Sequence, residues 1–275
     1  MINVFCRLSE IDRENAIYMA QVAEVAERFD NMVEYVKKYL VPFQEGCDYI
    51  VLSEKEKNLF SIAYKSVSTL KRNSLRILVS SKNSKELMEK SDISEEIEGF
   101  VNKLKTELKQ LCDEVVDYCN KIMENPSLSP ADSVFYNKMV GDYDRYIAEF
   151  MSGEEKDNLS KKADEAYKKA REMGEKGNLS PVSPAMLGLA LNHSVYYYEI
   201  VGDAETVSLV FCSSSRLVRL QMMHMLKHML KSKKTMILIQ NHITFFLCLK
   251  IIFCFGKMKL NRLFQFFTCF DHVLI

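Results

Sequence analysis

Tryptophan is absent from the sequence, and glycine and proline are scarce, since 9 Gly and 5 Pro occur among 275 residues. Because glycine and proline punctuate short elements and tight turns, their scarcity argues against a turn-rich β architecture. Long, uninterrupted helices are the alternative. The chain is long enough to bury a sizeable core as one large helical domain or two smaller ones.

The usual patterns of catalysis and metal binding are missing as well. The sequence shows no Gly-rich phosphate loop, no nucleophile beside a base and no set of metal ligands at regular spacing. Two pairs come closest, because each would share a helix face, but neither has further ligands nearby: Cys112 with Cys119, and His224 with His228. We therefore expect no enzyme, no catalytic residue, no metal and no cofactor.

A secretory leader and a membrane segment are not evident either. Met1 is not followed by the charged, apolar and small-residue pattern of a leader. The apolar run Ile243–Phe255 is shorter than the about 20 residues of a spanning helix, and Lys250 interrupts it. The 8 cysteines then indicate reduced thiols, not disulfides. We expect a cytoplasmic protein, with the nucleus as a second location and no membrane anchor.

Charge divides the chain into two unlike parts. Residues 1–200 carry 27 Lys and Arg against 34 Asp and Glu, whereas residues 201–275 carry 10 against 3. We predict a helical domain over 1–205 and a divergent basic and apolar segment over 206–275. In that segment Met222–Lys234 could form a basic helix for an acidic partner. Its apolar runs with few charges and high β propensity favour an aggregation-prone end.

Apolar residues at helical spacing, separated by polar or proline-containing breaks, predict a series of helices. These cover Glu10–Phe29 with a continuation over Met32–Tyr39, then Glu54–Ser80, Ser94–Met123, Ser129 or Pro130 to Phe150, Lys156–Glu175 and Pro184–Ile200. Ser53 and Glu56 form the capping-box pattern before Glu54–Ser80. The Lys156–Glu175 helix is low in apolar residues, so we expect it to face outwards. Successive helices with short breaks predict an antiparallel all-α bundle or solenoid.

Basic side chains form a row on two of these helices. On the first, Lys65, Arg72 and Arg76 stand seven and four residues apart, so at 3.6 residues per turn they project from nearly one line. On the second, Lys138 and Arg145 are again seven residues apart.

A phenol stands beside the second row, because Tyr146 follows Arg145 directly. If the two helices lie side by side, guanidiniums, ammoniums and one hydroxyl surround a single point, which is the donor set that a phosphate dianion requires. The simpler interpretation is a solvated helix face. Asp142 and Glu149, three residues before and four after Arg145, are then its partners along the helix.

Four segments of the sequence resemble the signature segments of the 14-3-3 proteins, in the same order and at compatible distances: KNLFSIAYKSV, KRNSLRI, VFYNKMVGDYDRYIAEF and LSPVSPAMLGLALNHSVYYYEI. The resemblance covers about residues 11–205 and fails from about residue 206. It implies an all-α fold of about nine helices, with atypical C-terminal helices. It further implies a dimeric signalling adaptor that binds phosphoserine or phosphothreonine segments of client proteins, with no nucleic-acid partner.

The resemblance assigns roles to particular residues. Lys65, Arg72 and Arg145 match the basic residues that hold the phosphate, Tyr146 matches the phenol beside them, and Lys138 matches a secondary basic residue.

The last predicted helix matches one wall of an amphipathic peptide groove. Asn192 matches an amide that clamps the bound main chain, and Glu199 matches an acid facing the groove. Leu191, Gly188 and Val195 match the apolar wall, although core packing is an equal alternative for these three.

The first helix carries a stripe of small apolar residues, which could pack on the chain's own core or form a dimer interface. In the family the corresponding helix forms the dimer, with an Arg paired to a Glu of the partner. The matching interface residues here are Val22, Ala26, Arg28, Lys103 and Glu107. Asn31 replaces a family acid, so its cross-subunit pair with Lys103 is lost and we expect weaker homodimers or heterodimers.

Three departures from the family pattern leave an alternative open. Asp144 stands where an aromatic residue is usual and brings a carboxylate next to Arg145, where it could compete with an anion. Leu75 replaces a tryptophan, and residues 206–275 lack the expected C-terminal helices and acidic tail. The alternative is a phospho-independent dimerising scaffold, or a binding-defective paralogue with a truncated or frameshifted C-terminus.

Overall fold

The computed structural model describes residues 10–40, 49–82, 91–181 and 183–203. Within these ranges the chain is all-α, as predicted, and contains no strand. The helices are α1 (Glu10–Val25), α2 (Phe29–Tyr39), α3 (Glu54–Lys82), α4 (Ser91–Met123), α5 (Pro130–Ala148), α6 (Gly153–Lys176) and α7 (Pro184–Tyr196), followed by a π-helical turn (Tyr197–Val201). The predictions for 206–275, including His224 and His228, lie outside the described residues.

The first predicted helix is shorter than its pattern indicated. α1 ends at Val25, and α2 begins at Phe29, where the prediction had the first helix end. Between them Glu27 adopts a left-handed conformation with φ 53°. Arg28 N donates to Ala23 O, which is the hydrogen bond of a Schellman helix end. Sequence reasoning missed this end because glutamate occupies a position that usually requires glycine.

The start of α3 is built as predicted. Glu56 N donates to Ser53 Oγ, and Ser53 N donates to Glu56 Oε2 at 2.8 Å, which forms the reciprocal capping box. The same carboxylate accepts from Arg13 Nε of α1 at 2.6 Å, and both side chains are buried. Arg13 also donates to Val51 O, and the Tyr39 hydroxyl donates to Glu56 O. One buried acid therefore ties α1 and α2 to the first turn of α3.

α3 and α4 run in opposite directions. Phe60 on α3 packs edge-on against Tyr118 on α4, with ring centroids 6.3 Å apart. Lys71, further along α3, pairs with Glu107, which is further back on α4. The two helices are therefore antiparallel, as predicted.

α3 and α5 run in the same direction, and long side chains connect them. Lys57 pairs with Asp132 near the start of both helices, and Arg72 pairs with Glu149 near their ends. The Ser129 side chain caps α5 by accepting from Asp132 N. The two predicted rows of basic residues consequently lie on parallel helices whose side chains meet, which is the arrangement that a shared site needs.

The prediction that α6 faces outwards is wrong for one of its faces. The buried stripe consists mainly of small residues at helical spacing: Leu159, Ala163, Ala166, Tyr167, Ala170 and Gly174. The Tyr167 ring lies against Gly141 of α5, where an added Cβ would approach the ring to 2.8 Å. Alanines contribute little to a hydrophobicity pattern, yet they let α6 pack closely on α5.

The structure divides into two units, one ending at Leu179 and one beginning at Ser180. In the second unit the Ser183 side chain caps α7, and the π-helical turn ends at Gly202, which has φ 74°. The predicted domain boundary between residues 205 and 206 lies outside the described residues and stays a prediction.

Cys112 and Cys119 are buried free thiols of α4, and burial raises the pKa of both. Among the described residues, no three His, Cys, Asp or Glu side chains are grouped so that they could hold a metal ion. In the same residues, no helix combines the length and apolar character that a membrane span requires.

Candidate anion-binding site

Two arginines from different helices converge on one aromatic ring. The guanidinium carbon of Arg72 on α3 lies 4.0 Å from the centroid of the Tyr146 ring, and that of Arg145 on α5 lies 4.8 Å from it. All three residues are at most 9% exposed. The electron-rich ring attracts both cations and so offsets part of the repulsion between them. The first unit thus brings together three of the residues predicted to hold a phosphate.

Glu149 holds the two arginines of α3. Arg72 donates to Glu149 Oε2 from Nε at 2.9 Å and from Nη2 at 2.7 Å, while Arg76 Nε donates to Oε1 at 2.6 Å. Burial alone would raise the pKa of Glu149, but the Arg72 charge and the contacts with Arg76 outweigh burial and lower it. The prediction that Glu149 serves Arg145 is therefore wrong, because α3 offers it two arginines across the helix contact.

Asp142 holds the cations of α5. Its Oδ2 accepts from Lys138 Nζ at 2.8 Å, and its Oδ1 accepts from Arg145 Nη2 at 3.3 Å, which confirms the predicted pair along the helix. Oδ1 also accepts from the hydroxyl of Tyr167 on α6 at 2.6 Å. Burial opposes ionisation of Asp142, but the charges of Lys138 and Arg145 and the hydrogen bonds lower its pKa. Tyr167 was not predicted, because its helix carries no other residue of the site.

Lys65 differs from the other cations of the cluster because it forms no ion pair within the described residues. Its side chain is exposed, although neighbouring protein atoms desolvate the ammonium in part. This desolvation lowers the pKa of Lys65, and the nearby Lys138 charge lowers it further against the opposing charge of Asp142. An ammonium that faces another ammonium is stabilised by an added anion.

Several donors of the cluster remain unused. In the part of the chain that the structure describes, no protein acceptor is bound by Arg72 Nη1, by the Tyr146 hydroxyl or by Lys65 Nζ. Burial and the Asp142 charge raise the pKa of Tyr146, so its phenol stays protonated and able to donate at neutral pH. The cluster therefore combines excess positive charge with convergent donors, which is what a phosphate or another compact anion binds.

The expected competition between Asp144 and an anion for Arg145 is not observed. Adjacent helix residues point about 100° apart, and the two side chains form neither a hydrogen bond nor an ion pair. Asp144 is 6% exposed, and the charges nearest to it belong to Lys162, Asp113 and Lys109 on α6 and α4. Burial raises the pKa of Asp144 to about 6; Asp113 adds to this shift, whereas Lys162 and Lys109 oppose it.

The predicted groove residues belong to the second unit. Leu191 and Asn192 of α7 are half-buried, and Glu199 of the π-helical turn is exposed. Val195 is buried, which agrees with the alternative of core packing. Their roles toward a peptide stay predictions.

The predicted interface residues of α1 are exposed, whereas the alanines Ala16, Ala20 and Ala23 of the same helix are buried. Val22 is 43% exposed, and Ala26, Arg28 and Lys103 are exposed as well. Within the chain Arg28 Nε donates to Asn31 Oδ1 at 3.0 Å, and Glu107 pairs with Lys71 at 2.7 Å. The predicted Arg28 to Glu107 pair between subunits would have to compete with these contacts.

The fold and the cluster define an all-α protein with convergent cationic side chains, two of them buried arginines and one a lysine without an ion pair in the described residues. The chain belongs to the 14-3-3 protein family, whose sequence model matches residues 19–240 and so continues past the resemblance seen at 11–205. In general terms, family membership supports an adaptor that binds phosphopeptides. It also supports, in general terms, binding of client proteins and dimerisation. Proteins of this family are binding adaptors, not enzymes.

Individual relatives agree with the family match. The chain is 41% identical over 189 residues to the protein BMH2 of Saccharomyces cerevisiae, which covers 68% of this chain and 67% of the relative. It is 39% identical over 197 residues to the 14-3-3-like protein B of Hordeum vulgare, covering 72% and 73%. It is 40% identical over 194 residues to the 14-3-3-like protein GF14 psi of Arabidopsis thaliana, covering 70% and 74%.

Proposed function

We propose that the chain binds phosphoserine or phosphothreonine segments of client proteins at this cluster and regulates signalling as a dimeric adaptor in the cytoplasm and the nucleus. The phosphate would accept hydrogen bonds from Lys65, Arg72, Arg145 and Tyr146, with Lys138 beside them. Leu191, Asn192 and Glu199 of the second unit would contact the main chain and side chains of the bound segment. No bond of the client is made or broken.

One observation carries the proposal: where two arginines converge on one phenol ring, Lys65 Nζ, Arg72 Nη1 and the Tyr146 hydroxyl bind no acceptor among the described residues. A phosphate dianion has enough oxygens for these donors. Charge-assisted hydrogen bonds contribute about 1.5 to 3 kcal/mol each, so a few of them supply much of a micromolar affinity.

The test measures fluorescence polarisation of a phosphoserine peptide with basic flanks and of its unphosphorylated twin. The proteins compared are the full chain, Lys65→Glu, and Lys55→Glu as a matched control with the same charge change at an exposed position of α3. We expect phosphate-dependent binding that Lys65→Glu weakens about 100-fold, since it replaces a donor by a repelling charge. Lys55→Glu should bind like wild type.

Equal binding of both peptides, or equal weakening by both substitutions, would contradict the phosphate site. A folded chain that binds neither peptide would favour the second candidate, a phospho-independent dimerising scaffold. The exposed apolar residues of α1 support this candidate, since Tyr18 is 65% and Val25 is 87% exposed. Sedimentation of wild type and Val22→Glu then tests the dimer that both candidates require, and the comparison of the two peptides distinguishes the candidates, because only the adaptor needs the phosphate.

A further inference from the structure

Tyr167 reaches the anion-binding cluster from α6, a helix that carries none of its cations. Its hydroxyl donates to Asp142 Oδ1 at 2.6 Å and accepts from Arg145 Nε at 3.2 Å. Burial and the Asp142 charge raise the pKa of Tyr167 well above its ordinary value, so the hydroxyl keeps its proton. The direction of both hydrogen bonds is therefore fixed.

The hydroxyl and the carboxylate together hold one edge of the Arg145 guanidinium. Arg145 Nη2 donates to Asp142 Oδ1, and Nε on the same edge donates to Tyr167. The direct bond to Asp142 at 3.3 Å is long for a charged pair, and the Tyr167 hydroxyl adds a second hydrogen bond at 3.2 Å to the same edge. Glu149 binds the corresponding edge of Arg72, since both Nε and Nη2 of Arg72 donate to it.

Packing leaves the Tyr167 ring little freedom to move. Tyr167 is fully buried, and its ring carbons would lie 2.8 to 3.0 Å from a Cβ at Gly141. The absence of a Cβ at Gly141 therefore leaves the space in which the ring packs against α5. A ring fixed in this way places its hydroxyl accurately, as a residue that supports a binding group must.

We propose that Tyr167 is a positioning residue, whose hydroxyl bridges the Asp142 carboxylate and Arg145 Nε and so orients this guanidinium for the anion. The inference concerns the orientation of Arg145, and its effect on affinity rests on the proposed phosphopeptide function.

The binding test compares Tyr167→Phe, which removes only the hydroxyl, with Tyr39→Phe as a matched control. Tyr39 is equally buried, and its hydroxyl also forms a buried hydrogen bond, to Glu56 O at the start of α3. We expect Tyr167→Phe to weaken phosphoserine-peptide binding about fivefold, which corresponds to one net hydrogen bond. Tyr39→Phe should leave the affinity unchanged.

A double-mutant cycle with Arg145→Lys separates positioning from packing. Lysine has no N–H at the Nε position, so the hydroxyl of Tyr167 should lose its effect in the Arg145→Lys background. An equal fivefold loss in both backgrounds would overturn the proposal, because it would show that the hydroxyl acts through the packing of α6 on α5.

A measurement without ligand makes the outcome independent of the proposed function. In ¹⁵N NMR spectra the Nε–H of Arg145 is assigned by its disappearance in Arg145→Lys. We expect slower hydrogen exchange at Arg145 than at exposed Arg28 in wild type, and faster exchange at Arg145 in Tyr167→Phe. An unprotected Arg145 in wild type would overturn the proposal without requiring any variant to fold. A protected Arg145 in a chain that binds no phosphopeptide would support the positioning role and contradict only the proposed function.

Discussion

Asp144 predicts an unusual pH dependence of stability, because its carboxyl group is 6% exposed and forms no ion pair within the described residues. Burial raises its pKa from 3.8 to about 6. One pKa unit corresponds to about 1.4 kcal/mol. The ionised form in the folded state therefore costs about 3 kcal/mol relative to the unfolded chain.

The sign follows from proton binding. Between about pH 4 and pH 6 the folded chain holds a proton on Asp144 that the unfolded chain has lost, so this residue makes stability fall as pH rises. Asp142 and Glu56, which are buried, and Glu149, which is half-buried, have lowered pKa values and act in the opposite direction. Only the difference between wild type and an Asp144 variant isolates the effect.

The variant is Asp144→Asn, which keeps the shape and removes the titration. Urea unfolding at pH 4.5 and pH 7.5, at one protein concentration so that any dimerisation contributes equally, gives the difference in unfolding free energy between the two proteins. We expect Asp144→Asn to gain about 2 to 3 kcal/mol relative to wild type on going from pH 4.5 to pH 7.5. An equal difference at both pH values would refute the reasoning and show that Asp144 ionises at an ordinary pKa.

Further predictions concern the supports of the fold, each measured by urea unfolding at pH 7. Arg13→Met leaves the Glu56 carboxylate buried without its partner and should cost about 3 to 5 kcal/mol; a loss below about 1 kcal/mol would show that the pair is solvated. Gly141→Ala forces a methyl group against the Tyr167 ring and should cost about 1 to 3 kcal/mol, whereas no loss would mean that α6 shifts freely. Glu27→Gly removes the strain of a left-handed glutamate and should stabilise the chain by about 0.5 to 1 kcal/mol; destabilisation would contradict the helix end described here.

Local signals in the sequence predicted much of the fold. The capping box of Ser53 and Glu56 places the start of α3, and Pro130 after Ser129 places the start of α5. These signals lie within a few residues of the feature that they determine. The end of α1 lacks such a signal, because its left-handed residue is Glu27 and the hydrogen bonds that end the helix are backbone bonds.

The members of the cationic cluster were predictable, but their partners were not. Helical spacing places Lys65 and Arg72 on one face, and the structure confirms that this face meets the second row on α5. Which acid pairs with which cation depends on the distance between helices, and a single sequence does not give this distance. Glu149 therefore pairs with the arginines of α3, and Asp144 does not pair with Arg145.

The two acids of the cluster explain how several cations can be held close together before an anion arrives. Asp142 pairs with Lys138 and Arg145, and Glu149 pairs with Arg72 and Arg76, so each carboxylate offsets the repulsion within one pair of cations. Asp142 lies on α5 and Glu149 caps its end. Glu149 binds Arg72 through both Nε and Nη2, whereas on Arg145 Asp142 binds Nη2 and Tyr167 binds Nε. Neither acid forms an ion pair with Lys65 within the described residues. In the proposed phosphate complex, arginines oriented in advance would lose less entropy on binding, which would offset part of the cost of the negative charge that the acids add beside the site.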